Sequence, residues 1–149
     1  ITSIDVAENR GCAAANGNAL CWGTDVGPDP RTVTAPEPIV QIATTKTVYS
    51  GATVVKPSRW CAVTPKGTVF CLGDNASGQA GDGTTDFAYR PVEVTGLPDP
   101  AAQVRTTNDA TCVLLTSGDV YCFGNNYYGQ LGNGVMRRSS IVPVKVTLP

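Results

Sequence analysis

No histidine occurs in this chain, and that absence removes whole classes of chemistry. Neither a Ser-His-Asp nor a Cys-His arrangement can be built, and a mixed cysteine and histidine zinc site is ruled out. Charge is also scarce: 15% of residues are charged and the formal net charge is -1. Such a surface carries no electrostatic footprint for nucleic acid or an anionic membrane. No apolar run approaches the roughly 18 residues that a membrane-spanning helix needs. Helical periodicity of useful length is missing as well, so any helix would be a single turn. With no initiator methionine and no signal-like apolar segment at Ile1, the start reads as a processed mature end or an excised fragment.

What is present is glycine, proline and cysteine. The 16 Gly and 11 Pro are spread along 149 residues, and the hydrophobic content is 42%. That combination fits many short strands joined by tight turns around a moderate core. Cys112 to Leu115 and Asp119 to Phe123 are β-prone runs, separated by Thr116, Ser117 and Gly118, which suit a type I turn closed by a left-handed glycine. Folding there sets Cys112 opposite Cys122, within reach of a disulfide. Pro65, Lys66 and Gly67 do the same for Cys61 and Cys71. Between Cys12 and Cys21 the chain is one residue shorter, and Asn16-Gly17 supplies a two-residue type I′ turn that keeps the pair opposed.

Cysteine spacing thus changes together with turn length, which predicts three local disulfides: Cys12 with Cys21, Cys61 with Cys71, and Cys112 with Cys122. Six buried free thiols are the alternative; a zinc site lacks both the Cys-x-x-Cys knuckle and a histidine. Each bridge closes a loop of about ten residues and should contribute roughly 2 to 3 kcal/mol. Paired cysteines favour an oxidising compartment: secreted, periplasmic or cell-surface.

Equivalent cysteines recur about every 50 residues, a period found in propeller blades. The expected repeats are 1–44, 45–97 and 98–149. Each offers about four short strands, so the chain is expected to be all-β, with three four-stranded blades forming a partial or self-assembling propeller. Val54-Val55 is expected to open repeat two, and Ile39 to Ile42 to close repeat one.

The third repeat reads Cys-x-Leu, then Ser-Gly-Asp-Val-Tyr-Cys-Phe-Gly-Asn-Asn, then Tyr-Gly-Gln-Leu-Gly-Asn-Gly and Pro-Val-x-Val. This resembles the regulator of chromosome condensation (RCC1) repeat. Gly129-Gln130-Leu131-Gly132 is its most specific piece, and Gly78-Gln79-Ala80-Gly81 is a close variant. The hairpin cysteines look like those of secreted bacterial members. The resemblance implies a β-propeller, usually of seven blades, that works as a protein-binding platform. Where the family often has a histidine, this chain has Arg10, Arg59 and Ala110. The loops that serve nucleotide exchange and nucleosome binding in the nuclear member have no match here, and those functions are not carried over.

No cofactor or metal is expected. Most aspartates sit in Pro-Asp-Pro, Gly-Asp-Asn or Gly-Asp-Gly contexts, where bonding to nearby backbone is the ordinary role. The two glycine loops, Gly73 to Gly83 and Gly124 to Gly134, lead into no helix and lack a Gly-Lys-Ser/Thr ending, which makes them blade turns rather than phosphate cradles. Asn75-Ala76-Ser77 is a formal glycosylation sequon. The candidate partner-binding residues are Phe87, Arg90, Tyr127, Tyr128, Met136, Arg137 and Arg138, because aromatics and arginine dominate interface hot spots. Trp60 and Tyr89 read equally well as packing between blades.

The leading functional expectation is a non-catalytic extracellular protein-binding or structural module, self-associating or part of a larger propeller or filament. A secreted enzyme inhibitor with Tyr127 and Tyr128 as anchors is the alternative. A sugar-active enzyme has no positive signal. The expected partner is a protein, copies of the chain itself included, with no nucleic acid and no membrane insertion.

Overall fold

The computed structural model describes all 149 residues and contains strands and turns but no helix. The first blade is a meander of β1 (Ser3–Ala7), β2 (Arg10–Ala15), β3 (Asn18–Gly23) and β4 (Gly27–Val33). The second opens on β5 (Gln41–Thr44). A separate two-stranded hairpin, β6 (Val48–Ser50) and β7 (Thr53–Lys56), intervenes before β8 (Arg59–Val63), β9 (Val69–Gly73) and β10 (Ala88–Glu93) complete the sheet. The third is β11 (Ala101–Thr106), β12 (Ala110–Leu115), β13 (Val120–Gly124) and β14 (Ser140–Lys145). All neighbouring strands within a blade are antiparallel.

Turn chemistry sets the register of each central hairpin. Asn16 and Gly17 both take positive φ, at 52° and 78°, as a type I′ turn requires. Cys12 therefore pairs with Cys21, and in the other blades Cys61 pairs with Cys71 and Cys112 with Cys122. All three disulfides are formed and no cysteine is free.

The outermost strands carry the prolines: Pro28 and Pro30 in β4, Pro91 in β10 and Pro143 in β14. A strand at the rim has one edge without a neighbour, so a missing N–H costs nothing there. Each of these strands also has a register shift where it leaves its partner.

The apolar core lies between blades. One face of blade two, including Cys61, Val63, Val69 and Cys71, packs on Val104, Val113, Leu115 and Phe123 of blade three. Likewise Cys12, Ala14, Ala19 and Cys21 of blade one meet Ile39, Ile42, Trp60 and Ala62 of blade two. The first strands, β1, β5 and β11, stand side by side on the inner side of the arc.

Two expectations are corrected. The opening strand of blade two is β5, not Val54-Val55, which lie in the β6–β7 hairpin. Consequently Ile39 to Ile42 do not close blade one; β4 does, a strand that carries Pro28 and Pro30. The reason is that Ile39 and Ile42 are apolar through packing across the blade boundary, and hydrophobicity alone does not say to which sheet a strand belongs.

Candidate functional site

A meander places its first and third connections at one end and its middle turn at the other. The turns β1–β2, β5–β8 and β11–β12 therefore share one end with the loops β3–β4, β9–β10 and β13–β14. This loop face is tied together laterally. Asn9 accepts from the Thr47 N–H at 3.0 Å and donates to the Thr47 carbonyl at 2.8 Å. Asn108 donates to the Lys46 carbonyl at 2.6 Å, and Lys56 pairs with Asp109 at 3.1 Å. Burial alone would raise the Asp109 carboxyl, but hydrogen bonds from Asn125 and Lys56 and the Lys56 charge hold it below its ordinary value.

The two glycine loops are pinned from within by a buried asparagine. Asn75 accepts from the Ala80 N–H at 2.8 Å and donates to the carbonyls of Thr84 and Asp86. Asn126 repeats this, accepting from Leu131 at 3.0 Å and donating to the Val135 carbonyl. Both asparagines are fully buried, so the sequon at Asn75 offers no accessible amide. In the second blade's loop, the amides of Ala76, Ser77, Gly78, Ala80, Gly81 and Gly83 all donate to oxygens of the protein itself. None points outward for an anion. Gly78 abuts the next blade so closely that a Cβ there would lie 2.7 Å from Ile141 Cα.

On this pinned frame the side chains project. Tyr127 and Tyr128 meet edge to face at 4.9 Å, and the Arg137 guanidinium lies 5.2 Å above the Tyr127 ring. Arg137 takes φ 60°, with its N–H donating to the Asn126 carbonyl at 2.6 Å. Tyr128 is 78% exposed, and the exposed Met136 approaches Gly129 through its Cγ. Arg138 borders a separate shallow recess with Asn133, Val135 and Ile141. Phe87 stacks at 4.6 Å on Tyr89, which is 85% exposed and so does not pack between blades. Trp60, by contrast, is fully buried at the boundary of blades one and two. Arg90 is exposed on β10.

Two features escaped the sequence reading. The β6–β7 hairpin adds exposed Tyr49, Val54 and Val55 to the loop face. Ser50-Gly51-Ala52 between Val48-Tyr49 and Val54-Val55 was its signal, a turn dividing two β-prone runs. The second feature is the pair of buried arginines. Arg10 bonds Asp25 at 3.0 Å and Ser58 of the next blade. Arg59 donates to the Gln79 carbonyl at 3.1 Å and to Thr111 Oγ1 and the Ala110 carbonyl of the next blade. Desolvation pushes Arg59 down to about 9, against the pull of Asp74 and Asp109, so it is charged at neutral pH. These arginines clasp successive blades.

Models of the regulator of chromosome condensation (RCC1) repeat match residues 102–130 and 117–149. Among curated proteins, the E3 ubiquitin-protein ligase MYCBP2 of Danio rerio is 37% identical over 70 residues, which is 47% of this chain and 2% of that protein. Human WBSCR16 superposes with a TM-score of 0.76 at 17% identity, over 99% of this chain and 40% of that one. Prp20p from Saccharomyces cerevisiae, whose structure is described with its binding to Gsp1p and histones, gives 0.74 at 14% identity, over 97% of this chain and 38% of that one. The chain spans less than half the length of each of these proteins. Its third blade matches the RCC1 repeat in sequence, and the arc of three four-stranded blades has the β-propeller fold of these solved structures.

Proposed function

We propose that this chain is a non-catalytic protein-binding module of an extracellular or cell-surface protein, presenting its loop face to a protein partner and joining further blades through its open ends. The observation that carries this reading is the set of exposed aromatics held on hydrogen-bonded loops at one end of the arc. Rigid aromatic anchors bind at low entropic cost, because little conformational freedom is lost on contact. That Prp20p is described as binding Gsp1p and histones supports protein recognition as the kind of function this fold serves. Three closed disulfides and no free thiol suit an oxidising compartment. The alternative, an inhibitor that inserts Tyr127 and Tyr128 into an enzyme cleft, draws on the same ring pair and its arginine brace.

The test is affinity capture from the native extracellular fraction with the unaltered chain and a Tyr127→Ala/Tyr128→Ala chain. A protein retained by the first and lost from the second supports the reading. Identical capture by both removes the loop face as the binding surface.

A further inference from the structure

Blades two and three build one loop twice, and the two copies carry opposite charge. Both loops are pinned by their buried asparagine, Asn75 in one and Asn126 in the other. Just before it, an oxygen of Asp74 accepts from the Ala76 N–H at 3.1 Å, and one of Asn125 accepts from the Tyr127 N–H at 2.9 Å. Further on, Asp82 accepts from the Thr84 N–H at 3.1 Å and Asn133 from the Val135 N–H at 3.3 Å. The scaffold thus needs one acceptor oxygen at each place, and aspartate or asparagine supplies it equally. At a third place it uses main chain alone. The Asp86 C=O accepts from the Asn75 amide at 3.0 Å, and the Arg137 N–H donates to the Asn126 C=O at 2.6 Å.

Folding therefore leaves the charge at all three positions free. Blade two places Asp74, Asp82 and Asp86 there, with no cation between Gly73 and Phe87. Blade three has Asn125, Asn133 and Arg137, followed by Arg138, with no carboxylate from Gly124 onward through the loop.

The backbone singles out Arg137. Asn16 and Arg137 are the non-glycine residues at positive φ, and the type I′ turn accounts for Asn16. At Arg137 a glycine could hold φ 60° and make the same N–H bond without strain. What the arginine adds is its guanidinium, 5.2 Å above the Tyr127 ring, a contact that uses none of its N–H donors. Neither Arg137 nor Arg138 forms an ion pair within the chain. The carboxylate that this loop does meet, Asp109, is taken by Asn125 and Lys56.

A following blade would not cover these groups. In blade two, on which blade three packs, the counterparts of Tyr127, Met136, Arg137 and Arg138 are Ala76, Thr85, Asp86 and Phe87, and all four stay exposed. The cluster therefore belongs to the loop face and not to a blade boundary.

A carboxylate is the planar anion that matches a guanidinium fork, and the two rings offer apolar cover beside it. The acidic loop restricts what can carry that carboxylate. It sits against the strand that leaves the basic loop: the Gly83 N–H donates to the Ile141 C=O at 3.0 Å. A sulfated glycan, a nucleic acid or an anionic bilayer is negative throughout and would meet three aspartates as well as two arginines. A protein surface can be acidic at one end and neutral or basic at the other.

We infer that the blade-three loop seats an acidic segment of a protein partner, its carboxylates on Arg137 and Arg138 and its apolar flank on Tyr127 and Tyr128, while the blade-two aspartates reject uniform polyanions. This rests on the proposed reading of the loop face as a protein-binding surface.

Selection of displayed random dodecapeptides on the whole oxidised chain tests it. The expected result is enrichment of peptides that combine Asp or Glu with aromatic or aliphatic residues. A synthetic peptide from that pool should bind about tenfold more weakly to Arg137→Gly and to Arg138→Ala, and more weakly as salt is raised. Arg137→Gly relieves the strained backbone and should melt close to the unaltered chain, so its loss reads binding rather than folding. Asp86→Lys, which removes a side chain that bonds nothing in the fold, should tighten the same peptide and let the chain retain a heparin oligosaccharide that the unaltered chain releases. No enrichment, enriched peptides without carboxylates, binding that ignores both arginines, or heparin held by the unaltered chain as tightly as the peptide would each overturn the inference. Neutral peptides that are lost on Tyr127→Ala/Tyr128→Ala would remove the acidic preference and leave the loop face standing as the binding surface. Peptides that ignore the tyrosines and the arginines alike would remove the face itself.

Discussion

Gly67 and Gly118 occupy the same position in successive hairpin turns, at φ 85° and 93°, yet only one of them is enclosed. A Cβ on Gly67 would lie 2.4 Å from Pro100 Cβ and 2.7 Å from the Ala101 nitrogen, while a Cβ on Gly118 meets nothing within 4 Å. The difference is the next blade. Both glycines need positive φ, where an L side chain is strained by about 1 to 2 kcal/mol. Gly118→Ala should cost about that much, and Gly67→Ala about twice as much, because the link to blade three must shift. Equal losses in urea titration would show that the blade boundary yields freely at Pro100. Ser117→Val, at a position with ordinary turn angles, should cost less than Gly118→Val.

Arg59 supports a second prediction. Its side chain fills the space between blades two and three and satisfies Thr111 and two carbonyls. Arg59→Ala should cost about 2 to 4 kcal/mol, through the cavity and the orphaned acceptors together. Arg59→Met, which keeps volume and removes the buried charge, should lose distinctly less. Chemical denaturation of the two variants checks the order.

A third concerns acid. The Asp109 carboxyl, whose ordinary value is 3.8, is held lower in the folded chain by Asn125 and Lys56. The unfolded chain therefore binds its proton first as pH falls. The stabilisation is present above the ordinary carboxylate value and is lost as pH drops through the depressed one. Asp109→Asn should be less stable than the unaltered chain at neutral pH and close to it near pH 2, as thermal melts across that range would show.

A fourth follows from Asn75. Its amide is fully buried and donates to Thr84 and Asp86, so an oligosaccharide cannot be accommodated in the folded blade. Chain produced through a eukaryotic secretory pathway should carry no glycan at this position once folded. Mass analysis of secreted material checks this. Asn75→Ala should destabilise by about 2 to 3 kcal/mol, through the unpaired buried groups it leaves behind.

The sequence made the hairpins legible because turn type and cysteine spacing are two statements about one register. Asn16-Gly17 and the nine-residue separation of Cys12 from Cys21 agree, as do Gly118 and the ten-residue separation of Cys112 from Cys122. The outer strands were harder to read, since Pro28 and Pro30 look like loop residues unless the edge they occupy is known. Inner strands failed for a different reason: β5 is four residues long, and Ile42 is apolar for the sake of blade one rather than its own sheet. At the loop face, composition pointed to Tyr127, Tyr128 and Arg137, but not to the positive φ at which Arg137 lies over the Tyr127 ring. The roles of Arg10 and Arg59 depended wholly on which backbone atoms the neighbouring blade brings near.

The side chains that accept first-strand N–H groups across a blade boundary all lie earlier in the chain. Ser3 and Asp5 of blade one hold the amides of Ile42 and Thr44 in blade two, and Gln41 of blade two holds Val104 in blade three. In each case the side chain that receives the amide is made before the amide it receives. During synthesis each emerging first strand thus meets a finished blade whose side chains are already set to take its N–H groups, and whose hairpin has closed locally without waiting for later sequence. Growth from the N-terminus would template every new blade on the last, and an arc that builds this way can be extended by duplicating a blade without redesigning the join.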